Sequence, residues 1–303
     1  MALNADVAGA QERAPVADLE VRGGHTPWQR FRRSPLAMTG LVLCGLLILV
    51  AAFGPFLAPH NPYTQFQNGL TLEGAPVPPG KLFPLGTDPN GRDVLSRLLY
   101  GTRVSLGIAI FANLISIAIA TVLGSLAGYF GGVVDTLVMR LTDVLQSVPV
   151  LLLAGFAATV FRPSITIIIL IIAFVAWYYP ARVIRGEVLA LRHRDFVQSA
   201  RAMGASNGRI LLKHVVPQVS GLIAVYATLN FSYTILFTSA LSFIGIGVQP
   251  PTPDWGNMIA QGSEYMTAAP WLMIFPGIAL GLAVLGFNLL GDGLRDAYDP
   301  RSR

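Results

Sequence analysis

Residues 104–128 read VSLGIAIFANLISIAIATVLGSLAG, a run without a single ionisable side chain. At about 1.5 Å of rise per residue it is long enough to cross the roughly 30 Å hydrocarbon core of a bilayer. Five further runs fit the same template, at about 37–58, 144–161, 164–180, 219–247 and 271–290. Only Phe161-Arg162-Pro163 separates the third of the six from the fourth, and Pro149 lies inside the third. A backbone crossing lipid must satisfy its own hydrogen bonds, so the expected fold is all-α, a polytopic bundle of six transmembrane helices.

Composition points the same way. Of 303 residues, 12% are charged and 53% hydrophobic, and mean hydropathy is +0.59. A water-soluble domain carries about 25% charge, so a soluble enzyme is excluded, and disorder needs far lower hydrophobicity. The net charge of +5 does not indicate nucleic acid, because the cations sit between apolar runs and form no continuous basic face. One cysteine, Cys44, excludes a disulfide framework, and the four scattered histidines argue against a zinc cluster.

Lys and Arg set the expected orientation. Arg30, Arg32 and Arg33 precede the first run and place the N-terminus in the cytoplasm. Segment 181–217, with Arg182, Arg185, Arg192, Arg194, Arg201, Arg209 and Lys213, then falls inside. Segment 249–270, with Asp254 and Glu264 and no cation, falls outside, and the tail with Arg295, Arg301 and Arg303 returns inside. Segment 59–103 would be external despite Lys81, Arg92, Arg97 and Arg103, since long loops obey the rule poorly. The first run is read as an uncleaved helix, because a 36-residue leader precedes it and no small-residue cleavage site closes it. The organisation expected is a cytoplasmic tail over 1–36, mobile over 1–28, then a first helix and external loop over 37–103, then a core over 104–303 with a cytoplasmic loop at 187–217.

None of the runs contains Asp, Glu, Lys, Arg or His. Proton-coupled carriers need an ionisable residue at membrane depth, and intramembrane proteases need a catalytic pair or HExxH; neither is present. A self-sufficient carrier or channel is the alternative of another class. The fifth run carries Tyr226, Asn230, Thr234, Thr238 and Ser242 four residues apart, a stripe drifting only about 40° per step. It reads as a polar wall lining a translocation path, or equally as interhelical packing. In the external loop, Asp88, Arg92 and Asp93 could meet a partner or gate the outer mouth; alternatively they cap and orient a short helix at 92–100, with Asp88 favouring its N-terminus. Trp255 and Trp271 are expected to anchor helix ends at the headgroups, and Gly245, Gly247, Gly291 and Gly293 to end helices or permit close packing.

Segment 187–217 reads EVLALRHRDFVQSARAMGASNGRILLKHVVP. Phe196, Ala200 and Met203 share a helical face, Gly204 can stop that helix, Ser206 can cap the next, and Pro217 marks entry to the fifth run. A basic helix–turn–helix with a small-residue tip has the shape of a docking element; a solvated loop that merely fixes topology would carry the same charges. His193-Arg194-Asp195 spells the kinase HRD, but position 200 is Ala where that motif needs Asn. Gly80-Lys81 is followed by Leu82, and position 75 is Ala, so no phosphate-binding P-loop exists.

The stretch resembles the EAA loop of ABC-importer permeases, Glu-Ala-Ala, three residues, Gly, nine residues, then Ile-x-Leu-Pro. Ala200, Gly204 and Pro217 match. Gln198 stands for the Glu, Ser199 for the first Ala, His214 for the Ile and Val216 for the Leu. LGTDPNGRDVLSRLLYGTRVSL (85–106), AGYFGGVVD (127–135), ALSFIGIGVQPPTPDWGNM (240–258) and FNLLGDGLRDAYDPR (287–301) are similar to the C-type permeases of dipeptide, oligopeptide and nickel importers, a likeness running from about residue 34 to the C-terminus. It implies a type I importer permease fold in the bacterial cytoplasmic membrane, paired with a second homologous permease, two cytoplasmic ATPases and an external solute-binding protein. It implies a coupling helix at about Arg201, Ala202, Met203, Gly204, Ala205 and Ser206, with Gly204 allowing the bend, preceded by Gln198 and Ala200. It implies peptide cargo, with nickel, glutathione or another small solute as the alternative. No cofactor is expected on this chain, ATP and Mg being held by the ATPases, and no catalytic or metal site.

Overall fold

The computed structural model describes residues 26–161 and 164–298. The leader over 1–25, the Arg162-Pro163 link, and Arg301 and Arg303 of the tail lie outside the described residues. Among these, twelve α-helices account for the architecture and there is no sheet. They are α1 (Pro27–Arg33), α2 (Pro35–Leu57), α3 (Val94–Phe130), α4 (Gly132–Ser147), α5 (Val150–Val160), α6 (Ile165–Ala176), α7 (Tyr178–Leu191), α8 (Asp195–Ala202), α9 (Asn207–Ile210), α10 (Ser220–Phe243), α11 (Trp255–Ser263) and α12 (Trp271–Tyr298).

Local sequence explains where they start. Thr26 accepts from the Gln29 amide in a capping box, Ser34 from Ala37 with Pro35 at the first turn, Asp93 from Ser96, Ser164 from Ile167 and Asp254 from Asn257. Each side-chain oxygen satisfies an amide that the first helical turn leaves unpaired. Residues 27–33, read from sequence as tail, form a helix whose Phe31 is buried against Ala37 and Ala297.

Four continuous helical segments are long and apolar enough to cross a membrane: α2, α3, 207–243 ending in α10, and α12. Two broken pairs, α4–α5 bent by 89° and α6–α7 bent by 42°, bring the number to six if each pair is one span. The third run at 144–161 is therefore no straight helix. Its first residues finish the amphipathic α4, and Pro149 sits at the break, where it can donate no backbone hydrogen bond. The short helix expected at 92–100 is the first part of α3, which runs 37 residues without interruption. At about 55 Å α3 projects well beyond the hydrocarbon.

α3 packs on α2, α6, α7 and α10, while α12 lies against α2, α10 and α11. Lipid supplies no hydrophobic drive for helix association, so close contact must come from small residues. A Cβ on Gly124 would lie 2.6 Å from the Ala181 carbonyl oxygen, and one on Gly128 2.6 Å from that of Arg185. These two glycines let α3 and α7 touch backbone to backbone. Gly293 likewise abuts Ala37, and Gly245, at φ +83°, ends α10. Trp255 is no headgroup anchor: it is fully buried beside Leu106, Ile235 and Ala283. Trp271 is half-buried, its indole donating to the Thr87 carbonyl.

Candidate functional site

The turn joining α8 to α9 is built on a buried floor. Val197 and Ala200 of α8, Ile210 of α9, and Leu211, Val215 and Val219 of the π- and 3-10 turns leading to α10 pack on Trp177 at the α6–α7 junction and on Ala181, Ile184 and Val188 of α7, and the same core continues to Ala120 and Tyr129 of α3. Tyr129 also donates to Asn207 Oδ1 at 3.1 Å, and the Arg192 guanidinium approaches the Gly128 carbonyl. A push on the tip is thus carried directly to α7 and α3, since close-packed side chains transmit displacement.

What faces outward is different. Gln198, Arg201, Ala202, Met203, Gly204 and Ser206 are exposed, while Ala205 is half-buried and Ala200 buried. Met203 is 81% and Leu212 70% exposed. The face shared by Phe196, Ala200 and Met203 is therefore split: Ala200 turns inward with Val197, the other two outward. α8 ends at Ala202, and Gly204 takes φ +81°, a left-handed turn that favours glycine. Residues 203–206 are accordingly a turn, and the helix of this element is 195–202, upstream of the expected 201–206. Ser206 holds the N-cap position of α9 but makes no side-chain cap hydrogen bond. Two ion pairs, Arg185–Asp135 and Arg182–Asp143, tie α7 to α4 beneath the turn. Sequence reading missed them because the partners lie far apart along the chain.

The polar stripe of α10 divides. Thr234, Thr238 and Ser242 are buried. Thr234 donates to the Asn230 carbonyl and Thr238 to the Thr234 carbonyl, both 2.8 Å; Ser242 Oγ accepts from the Val248 amide. These three belong to packing. Tyr226 and Asn230 instead line a cavity of about 440 Å³ with Tyr178, Tyr179, Tyr233 and Arg295. Asn230 donates to Asn113 Oδ1 at 2.8 Å, and Asn113 to the Ala227 carbonyl, so its amide is held at the cavity wall. Tyr226 was legible from the stripe, but Tyr178, Tyr179 and Tyr233 were not, because the α6–α7 bend brings Tyr178 and Tyr179 to α10.

The external motif is internal to the fold. Asp88, Arg92 and Asp93 are all buried. Asp88 Oδ2 lies 2.6 Å from Arg92 Nε and 3.2 Å from Arg97 Nε, and its Oδ1 accepts from the amides of Asn90 and Arg92. Asp93, not Asp88, caps the helix, accepting from the Ser96 amide and hydroxyl. Arg97 also reaches the carbonyls of Pro62 and Pro251. The network stiffens the loop between α2 and α3 and joins it to the segment before α11. There Asp254, buried, accepts from Ser105 Oγ and the Asn257 amide. Burial pushes its carboxyl above the ordinary value, against the opposing pull of these hydrogen bonds.

Three relatives match this sequence along almost their whole length. The oligopeptide transport system permease protein OppC of Haemophilus influenzae is 39% identical over 284 residues, 92% of this chain and 90% of its own. The dipeptide transport system permease protein DppC of Alkalihalophilus pseudofirmus is 37% identical over 282 residues, 92% and 91%. The glutathione transport system permease protein GsiD of Escherichia coli is 42% identical over 282 residues, 91% and 90%. Residues 25–76 match the N-terminal transmembrane domain of oligopeptide transport permease C. Residues 120–303, which hold the α8–α9 turn, the tyrosine-lined cavity and α12, match a second family over more than half the chain, and the protein therefore belongs to the binding-protein-dependent transport system inner membrane components.

Proposed function

We propose that this chain is one of two homologous permease subunits of an ATP-driven peptide importer, and that a cytoplasmic ATPase seats on its α8–α9 turn. The observation that carries the reading is the pairing of an exposed apolar tip, Met203 and Phe196, with a buried core running without a break into α7 and α3. Outside the membrane, removing an exposed methionine of this size from water against a partner is favourable. ATP binding can bias the permease only through contacts that differ between its two conformations, and this tip is rigid enough to deliver them. Both termini are then cytoplasmic, and the loop between α2 and α3, with the α10–α12 connection, faces the external solute-binding protein. ATP and Mg belong to the ATPase pair, in keeping with the missing P-loop.

The cargo class follows the relatives, whose names specify oligopeptide, dipeptide and glutathione, all peptide-like solutes. Tyr226 and Asn230 form this subunit's share of the path; Thr234, Thr238 and Ser242 support it from behind.

Cys44 is the sole cysteine and is buried, so Met203→Cys introduces one reactive thiol at the tip. In membranes carrying the assembled importer, a reagent with one thiol-reactive and one photoreactive end should link it to an ATPase subunit on illumination, with a yield that changes when a non-hydrolysable nucleotide is added. A Met203→Cys subunit that assembles yet links to nothing would refute the docking assignment.

A further inference from the structure

Below the tyrosine-lined cavity a second cleft of about 650 Å³ opens between α7, the start of α10 and the end of α12. Tyr226, Leu229 and Arg295 line both, so the two spaces meet at Arg295. The lining of the lower cleft holds two charged side chains, Glu187 of α7 and Arg295 of α12. Both are exposed, and among the described residues neither makes a side-chain hydrogen bond or an ion pair. The nearby arginines of α7 are engaged by contrast: Arg182 with Asp143 and Arg185 with Asp135.

We propose that Arg295 and Glu187 form a cargo-holding site at the inner end of the path, Arg295 receiving the carboxylate and Glu187 the ammonium of an uncapped short peptide. The inference rests on the peptide reading above and adds what recognises the cargo within the membrane subunit. A free dipeptide carries both charges at neutral pH, its α-carboxyl titrating near 3.5 and its α-amine near 8. A guanidinium grips a carboxylate through two parallel hydrogen bonds. Opposite charges that line one cleft without pairing leave room for a molecule that satisfies both. Side-chain identity is left open by the cavity above, where Tyr178, Tyr179, Tyr226 and Tyr233 offer aromatic faces with hydroxyl tips, surfaces that accept apolar and polar groups alike.

The test uses the complete importer in vesicles, with the external binding protein saturated so that its own selection cancels. The cargoes are alanyl-alanine, its C-terminal amide and its N-acetyl form. The wild type should move the free dipeptide about tenfold faster than either capped form, the loss expected for one charge-assisted hydrogen bond. Arg295→Gln should bring the free-to-amide ratio to about one by slowing the free form, and Glu187→Gln should do the same for the N-acetyl comparison. Arg295→Lys keeps the charge and should keep most of the ratio, which separates recognition from folding. A free-to-amide ratio unchanged in Arg295→Gln would overturn the site while leaving a peptide permease standing. Import of none of the three by the wild type would instead overturn the peptide reading on which the site depends.

Discussion

Segment 58–93 and segment 192–219 both leave the spanning helices, and both are charged, yet they dispose of charge in opposite ways. In the first, Asp88, Arg92 and Asp93 are buried, Asp88 paired with Arg92 and with Arg97 of α3 and Asp93 bound to the Ser96 amide and hydroxyl, beside a cluster of His60, Phe66 and Phe83 rings. In the second, Arg194, Arg201, Arg209 and Lys213 are exposed, and so are Phe196, Met203 and Leu212. The first segment turns its main charge cluster inward, although Glu73, Lys81, Leu72 and Leu82 stay exposed; the second leaves Arg194, Arg201, Arg209 and Lys213 outside beside apolar surface, as the core and rim of an interface do. The sharpest way to break this contrast is at Gly204. A Cβ there meets no heavy atom of its own chain within 4 Å, so any penalty beyond backbone strain comes from outside the chain. Gly204→Asp should cut ATP-driven uptake by about a hundredfold or more, the scale of a central interface residue, with membrane insertion intact. Gly204→Asn, which tolerates the left-handed turn, should fold like wild type and still lose most transport. Full uptake by both variants would show that the tip is as self-contained as the buried Asp88–Arg92–Arg97 network.

The loop between α2 and α3 should fail differently. Asp88→Ala leaves Arg92 and Arg97 buried without their counter-charge, which costs about 3–5 kcal/mol. The expected result is a marked fall in the thermal midpoint of the purified subunit, with transport lost in proportion to unfolded protein. A midpoint equal to that of the wild type would mean that the network holds nothing together and would return these residues to the list of partner contacts.

Much of the architecture was legible because its signals are local. Ser34-Pro35, Asp93 and Ser164 mark helix starts within a residue or two, and runs free of ionisable groups mark α2, α10 and α12. α3 was cut short because Arg97 and Arg103 read as a boundary, whereas Arg97 is neutralised by Asp88 from a turn nine residues upstream. The 89° break at Pro149 was hidden because apolar content does not distinguish a straight helix from two bent ones. Of the candidate site, the turn at Gly204 was readable from the glycine and from Ser206 at the N-cap position, although that serine makes no capping hydrogen bond. The cavity was not: it needs Tyr178 and Tyr179 from one bent pair, Tyr226 and Tyr233 from α10 and Arg295 from α12, a meeting that no sequence spacing encodes. The burial of Asp254 escaped for the same reason, since Ser105 lies on α3.

Asp254 offers a medium-sized test of how closely the α10–α11 connection resembles the loop between α2 and α3 in hiding its charge. Burial raises its carboxyl above the ordinary value, so the native state holds the proton more tightly than the unfolded chain. The favourable contribution is complete below the ordinary value of about 3.9 and is lost as pH rises through the raised native value. Asp254→Asn keeps an oxygen for the Asn257 amide and cannot ionise. It should flatten the dependence of thermal midpoint on pH above about pH 4. Identical slopes in variant and wild type would mean that Asp254 ionises as freely as in water.

The smallest effect sharpens the same contrast inside one helix. Asn230 and Thr238 lie two steps apart on the α10 stripe, but Asn230 borders the cavity while Thr238 is buried and bonds its own helix at the Thr234 carbonyl. Asn230→Leu removes the donor to Asn113 and places a methyl-ended side chain at the wall; the cost of one unmade hydrogen bond is about 1 kcal/mol. Relative uptake of polar and apolar dipeptides should therefore shift, by about threefold to fivefold, with little change in assembly. Thr238→Val forfeits a hydrogen bond already internal to the helix, and it should leave the cargo profile unchanged while altering stability slightly. If the two variants gave the same profile, the stripe would be a uniform packing seam, and Asn230 would have no more to do with cargo than the threonines behind it.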